Sequence, residues 1–352
     1  MDSVFDKVGR HKKQNLPFVL YRKPNSKTVV GIFQENDHLY FSKNFQEKGF
    51  VFAPFHHDNV IVFPLEFSEV KFAAPHFVTS SEDSFNEVVE NETEKENFIS
   101  LVQKGIDAIN TGVFNKVVLS RTENVAIPNF DLEVIFERML QQYPTAFCYC
   151  WFHPKIGMWM GATPERLLQA KENKFNTMAL AGTQQFLGND VVFWQNKERE
   201  EQEFVTHFII DNLKNIASEV NVSSPYTTRA GNILHLKTDI EGVLDADSNL
   251  KKVVDILHPT PAVCGVPKIL AKDFILENEG YEREYYTGFL GEINHDFSTN
   301  EIASDLYVNL RCMKIKKQEA QLFMGCGITK SSNPDAEWEE TVNKSKTMKR
   351  IL

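Results

Sequence analysis

No run of about 18 apolar residues occurs in the chain, so no segment reads as a membrane-spanning helix. The opening MDSVFDKVGRHKKQNLPF also lacks the apolar stretch of a secretory signal, and a cytoplasmic protein is expected. Cysteine is scarce. Its five positions, Cys148, Cys150, Cys264, Cys312 and Cys326, are odd in number and form no C-x-x-C pair. Four of them lie in strand-like apolar surroundings, so reduced, packed thiols are expected in place of a disulfide framework. Positive charge is in deficit too: 38 basic against 48 acidic residues give a net charge of −10, which argues against a nucleic-acid partner. An anionic ligand must then be held by a few placed cations or a metal, not by the overall field. Repeats, a Ser-His-Asp order, a Walker loop, a dinucleotide fingerprint and a zinc spacing are all missing as well.

What is present is strand-like text, rich in aromatic and β-branched residues. FVLY, TVVGIF, HLYFS, GFVFAPF and NVIVFPLEF read as strands between residues 17 and 75. An acidic, polar stretch over 79–97 reads as a connecting loop, and Thr93 to Glu96 has the capping-box spacing ahead of the helix FISLVQKGIDAINTG. Further helices are expected around LEVIFERMLQQYP, over roughly 197–219 and around 249–257. Many strands without a regular βαβ rhythm predict an α+β protein with antiparallel sheets. Length alone allows two domains or one large one.

Two helices place acids where apolar residues belong. In KEREEQEFVTHFIIDNL, Glu201 falls inside the apolar stripe with Phe204 and Val205 one turn on, so it must be protonated, paired or metal-bound. In DAEWEETVNKSK, Glu337, Glu340 and Lys344 fall within an arc of roughly 60° while Glu339 points away. Periodicity by itself favours a solvated Glu340–Lys344 pair. Two inward acids on one helix and one on another would also suit Mg²⁺, which takes a few carboxylates and keeps room for waters and an anionic ligand. Just before this helix, MGCGITKSSNP carries Gly325 and Gly327, and ALAGTQ carries Gly182 and Thr183; both read as strand exits that could admit an anion to the backbone. LYVNLRCMKI reads as one strand with Tyr307, Asn309 and Arg311 on its polar face, where a guanidinium suits a carboxylate. By alternation His235 shares a face with Lys237 and Asp239 and is not a core residue, or it is simply exposed. Lys116 opens KVVLSR and either snorkels to a sheet edge or sits in a pocket as a base; Glu165 follows a proline at a strand–turn junction, where the plain alternative is a loop acid paired with Arg166.

Taken in order, FNKVVLSR, GATPERLL, ALAGT, KEREEQEFV, ILHLKTDIEG, LHPTPAVCGVPK, YEREYYTGFLGEI, LRCMKI and MGCGITKSSNPDAEWEETVNK resemble the chorismate-utilising enzymes from about residue 98 to the end. That family includes isochorismate, salicylate, anthranilate and aminodeoxychorismate synthases. The resemblance implies a single chorismate-binding domain over 1–352, with 1–80 its variable β-rich part, 98–352 its catalytic part, and a large antiparallel β-sandwich with outer helices. It implies Lys116 as general base, Glu165 as general acid, and Glu201, Glu340 and Glu337 (through water) as Mg²⁺ ligands. Gly182, Thr183, Arg311, Gly327 and Lys344 would hold the substrate carboxylates, with His235 near the ring. Gln202 departs from the pattern, since many relatives have His beside the metal acid.

Within the family, Lys116 favours water as nucleophile. An apolar Val263 in TPAVCGVPK looks more like the isochorismate synthases than like salicylate synthase or the ammonia-using members, which commonly carry Thr there. The expectation is therefore a Mg²⁺-dependent isochorismate synthase, with salicylate synthase as the alternative. No obligatory amidotransferase subunit is expected, and the protein is expected to be a monomer or weak dimer. A non-catalytic chorismate-binding relative would have no need of an acid and a base in place.

Overall fold

The computed structural model describes residues 3–56, 59–75, 92–186, 192–230 and 233–352. Strands dominate, and they pair in two large antiparallel sheets as the lack of a βαβ rhythm predicts. The nine-stranded sheet runs Gly265–Val266, Lys116–Ala126, Glu319–Ile328, Cys312–Lys316, Gly157–Thr163, Phe147–His153, Phe18–Arg22, Val29–Gln34 and Ser68–Ala73. In the ten-stranded sheet the order is Ala217–Val222, Ile233–Leu244, Lys174–Gln185, Arg166–Lys171, Ala303–Val308, Phe289–Ile293, Gly49–Ala53, Ile61–Pro64 and Tyr40–Phe41, with Tyr226–Ala230 also on Ile233–Leu244. The strands expected before residue 75 are all found, divided between the two sheets.

Aromatic side chains weld the sheets face to face. Tyr21 meets Phe50 at 5.1 Å between ring centres, Trp151 meets Phe52 at 4.7 Å and Phe147 stacks on Tyr307 at 4.3 Å. Pairs of this kind add roughly 1 kcal/mol each beyond the area they bury. The outer faces are covered by helices. Glu92–Asn110, Lys268–Asn278 and the C-terminal helix Pro334–Lys349 pack on Val117, Leu119, Cys326 and Ile328. On the other sheet, Asn196–Leu213 and Leu250–Leu257 pack on Phe175, Ala179 and Ile240.

Several expectations are corrected. A helix, Val4–Gln14, precedes the first strand, closed by a Ser3–Asp6 capping box and an αL Asn15. Thr93 is not a cap, because Glu92–Asn110 is already helical before it; the remainder of the expected loop over 79–97 falls on 79–91, outside the described residues. The long helix stops at Leu213, and the residues assigned to its end belong to the strand Ala217–Val222. LYVNLRCMKI is not one strand. Ala303–Val308 lies in the ten-stranded sheet and Cys312–Lys316 in the other, and the chain crosses between them with Arg311 at φ 47°. Lys116–Ala126, Glu319–Ile328 and Lys174–Gln185 reach the same end of the sandwich as this crossover, and a cleft opens there.

Candidate active site

The cleft spans about 690 Å³, part of it open to solvent. Lys116, Glu165, Gly182, Thr183, Glu201, His235, Arg311, Gly327, Glu340 and Lys344 all line it. Glu337 does not; it lies behind the wall, buried to 1% exposure.

Alternation along two neighbouring strands explains the wall. On Lys116–Ala126, Val117 and Leu119 point to the helices while Lys116 and Val118 face the cleft. On Glu319–Ile328, Cys326 and Ile328 pack outward and Gly325 and Gly327 face the cleft. Gly327 is glycine for a steric reason: a Cβ there would stand 1.8 Å from Glu201 Oε1 and 3.0 Å from Lys116 Cε. The two glycine motifs lie within strands and not at their exits. Gly182, at φ 71°, forms a break in the pairing of Lys174–Gln185 with Ile233–Leu244 between Ala181 and Gln184.

Lys116 is almost wholly buried, with its Nζ 4.0 Å from Glu201 Oε1. Burial pulls its pKa down, against the pull of Glu201 and with the push of Lys197. Across the cleft, burial raises the Glu165 carboxyl to about 8 despite the charges of Lys116, Lys344 and Arg311. Arg166 does not pair with it; that guanidinium donates to Asp305 at 2.9 Å. His235 is buried and not exposed: its Nδ1 donates to the Gly182 carbonyl at 2.8 Å, and its Nε2 faces Arg311 Nη2 at 3.4 Å. Burial, then Arg311 and Lys344, lower its pKa to about 3, so the ring is neutral. Arg311 Nη1 is buried with no hydrogen-bond partner, a donor available to an anion in the cleft.

The floor is carried by the C-terminal helix. Asn333 caps it, accepting from the Ala336 N–H, and Pro334 opens its first turn. Arg121 fastens the helix to the sheet by stacking on Trp338 at 4.2 Å and donating to Thr341 Oγ1 at 2.8 Å. Lys344 Nζ donates to Glu340 Oε1 at 2.6 Å and to the Gly325 carbonyl at 2.9 Å. The i,i+4 pair is therefore real, but it faces the cleft while Glu339 is exposed. Burial works against ionised Glu340, yet Lys344 and Lys197 hold its pKa low; burial and the neighbouring Glu340 push Glu337 up.

Lys197 is the residue the sequence reading missed. Its Nζ donates to Glu337 Oε1 at 2.6 Å and lies 3.9 Å from Glu340 Oε2. Burial works against its charge, but Glu340, Glu201 and Glu337 hold its pKa above the usual lysine range. One signal was legible: a lysine at the second position of a helix opposes the helix dipole. Tyr286 and Thr287 also line the cleft, and nothing in YEREYYTG marks them. Among the described residues no three acidic, His or Cys side chains are grouped as a ready metal cage. The chemistry of the donors nevertheless fits a hard divalent cation: every candidate ligand is a carboxylate, and Glu201 Oε1, Glu337 Oε2 and Glu198 Oε2 are buried without a hydrogen-bond partner. Glu198 sits in the first turn of the same helix, with its backbone and Cβ against Gly182.

The sequence model of the family described as chorismate binding enzyme matches residues 66–352. The chain belongs to the chorismate-binding enzymes. The isochorismate synthase EntC of Escherichia coli is 32% identical to this family member over 275 residues, covering 74% of this chain and 68% of the relative. A salicylate biosynthesis isochorismate synthase of Pseudomonas aeruginosa is 28% identical over 268 residues, 74% of this chain and 55% of the relative. The fold is shared with the isochorismate synthase DhbC of Bacillus anthracis, at a TM-score of 0.79 and 20% identity over 99% of both chains. Anthranilate synthase component I of Streptococcus pneumoniae also shares it, at 0.67 and 16% identity over 95% of this chain and 92% of that one.

Proposed function

We propose that this chorismate-binding enzyme is an isochorismate synthase in which Lys116 is the base and Glu165 the acid. One observation carries the reading: the two groups line a single cleft with protonation preferences opposite to the ordinary ones, a lysine drawn toward neutrality and a carboxyl that keeps its proton near pH 7. Lys116 takes a proton from water as the water oxygen attacks C2 of the ring. The double bonds shift, and the C4 hydroxyl leaves with the proton of Glu165. Water enters and water leaves, so the net reaction is a reversible isomerisation. Arg311 and Lys344 bind the substrate carboxylates, with the backbone at Gly182, Thr183 and Gly327 close by and neutral His235 beside the ring. Mg²⁺ held by Glu201, Glu337 and Glu340 would supply the remaining positive charge that a dianion needs in a protein of net charge −10. The 32% identity to EntC and the apolar Val263 in the wall support water chemistry that stops at isochorismate.

The test incubates purified protein with chorismate and Mg²⁺, with and without ammonium, and separates the products. Isochorismate in equilibrium with chorismate is expected under both conditions. Salicylate with pyruvate, or an aminated product that requires ammonium, would overturn the reading.

A further inference from the structure

Glu201 and Glu340 line the floor of the cleft, Glu337 lies just behind it, and a lysine already stands against the two acids of the C-terminal helix. Lys197 Nζ contacts Glu337 Oε1 at 2.6 Å and Glu340 Oε2 at 3.9 Å, so one ammonium spans both acids of the C-terminal helix. It comes from the first turn of the helix that carries Glu201, a place where the helix dipole opposes a cation. The attraction of the carboxylates must exceed that cost. The side chain is 20% exposed and has four rotatable bonds, so the ammonium can leave for water without the helix moving. Lys344 cannot do the same, because the Gly325 carbonyl and Glu340 both hold it.

We propose that the Lys197 ammonium is the resident cation of this carboxylate floor and that a divalent metal ion must displace it from Glu337 and Glu340 to bind. Lys197 is then a positioning residue that sets how much metal the site demands. It offsets the repulsion between the two acids while the metal is away, and it weakens metal binding by competing for the same oxygens. This rests on the metal reading of the floor given above, though not on the identity of the product.

The experiment titrates metal-free protein with MgCl₂ in the calorimeter, without chorismate, for the wild type and for Lys197→Gln, Lys197→Arg and Lys214→Gln. Lys214→Gln removes one charge from the same helix's exposed end and reports the effect of net charge alone. Lys197→Gln is expected to tighten Mg²⁺ binding by about tenfold, the effect of removing one competing charge at short range, while Lys197→Arg and Lys214→Gln stay near wild type. Thermal melting supplies a second readout: metal-free Lys197→Gln melts below wild type, and saturating Mg²⁺ raises its midpoint by more than it raises the wild-type midpoint. Mg²⁺ binding to Lys197→Gln equal to or weaker than that of wild type overturns the displacement. If neither protein binds Mg²⁺ at millimolar concentration, the metal reading falls and takes this inference with it.

Discussion

At the scale of single residues the proposed chemistry depends on two groups held away from their ordinary protonation, Glu165 as the acid and Lys116 as the base. Glu165 donates a proton only while it has one, so kcat/KM is expected to fall as pH rises through about 8; a profile flat from pH 7 to 10 would contradict the assignment. On the acid side, activity falls where Lys116 becomes protonated, and that limb lies below the ordinary lysine range because its pKa is lowered. Lys116→Ala and Glu165→Gln should each lower turnover by roughly a hundredfold to ten-thousandfold, with chorismate binding measured separately. Stability linked to Glu165 moves with pH in the same direction. Its folded pKa is raised from 4.5 to about 8, so the stability linked to its proton is complete below pH 4.5 and is lost as pH rises through 8. Glu165→Gln should therefore melt above wild type at pH 9 and near it at pH 5. The residue types were legible from sequence; their burial was not. His235 shows the difference, since alternation placed it on a polar face and only the approach of Gly182 and Arg311 shows that this face is closed to water.

At the scale of elements, strand alternation did most of the positioning and was the most legible feature. It correctly separates Val117 from Lys116, but it fails wherever the chain leaves its sheet. Reading LYVNLRCMKI as one strand put Tyr307 and Arg311 on a common face, whereas the crossover at residues 309–311 sends Arg311 to the cleft and leaves Tyr307 stacked on Phe147 between the sheets. Period-2 text does not reveal a change of sheet. The paired strands also make Gly327 a test of the element. An alanine there would drive its Cβ into Glu201, and turnover should fall by about a hundredfold, the scale expected for a misplacement near 1 Å. The Tm should change little, because the backbone at Gly327 is not in a left-handed conformation. A large loss of Tm with intact turnover would show that the glycine serves packing and not the site.

For the whole molecule, net charge and the binding of a dianion are in conflict, and local cations must resolve it. Removing divalent metal with a chelator is expected to abolish turnover and to weaken chorismate binding in calorimetry, with Mg²⁺ restoring both and Na⁺ restoring neither. Full turnover in chelator would remove the metal from the mechanism. The two sheets are held together by aromatic packing and not by the metal, so circular dichroism should be unchanged by the chelator.

Sequence alone determined the antiparallel α+β class, the family and the residue types of the cleft, because strand periodicity and ordered motifs are local properties of the chain. It also showed that Glu201 faces inward, since an acid inside an apolar stripe is visible at helical spacing. Only the tertiary structure decided whether Glu337, Glu340 and Lys344 formed a solvated stripe or a floor. Helical spacing fixes which residues share a face but not what that face meets. That was decided when Arg121 and Trp338 fastened the C-terminal helix to the sheet, opposite the helix that brings Glu201 and Lys197. Glu340 and Lys344 then faced the cleft, while Glu337 went behind its wall to meet Lys197.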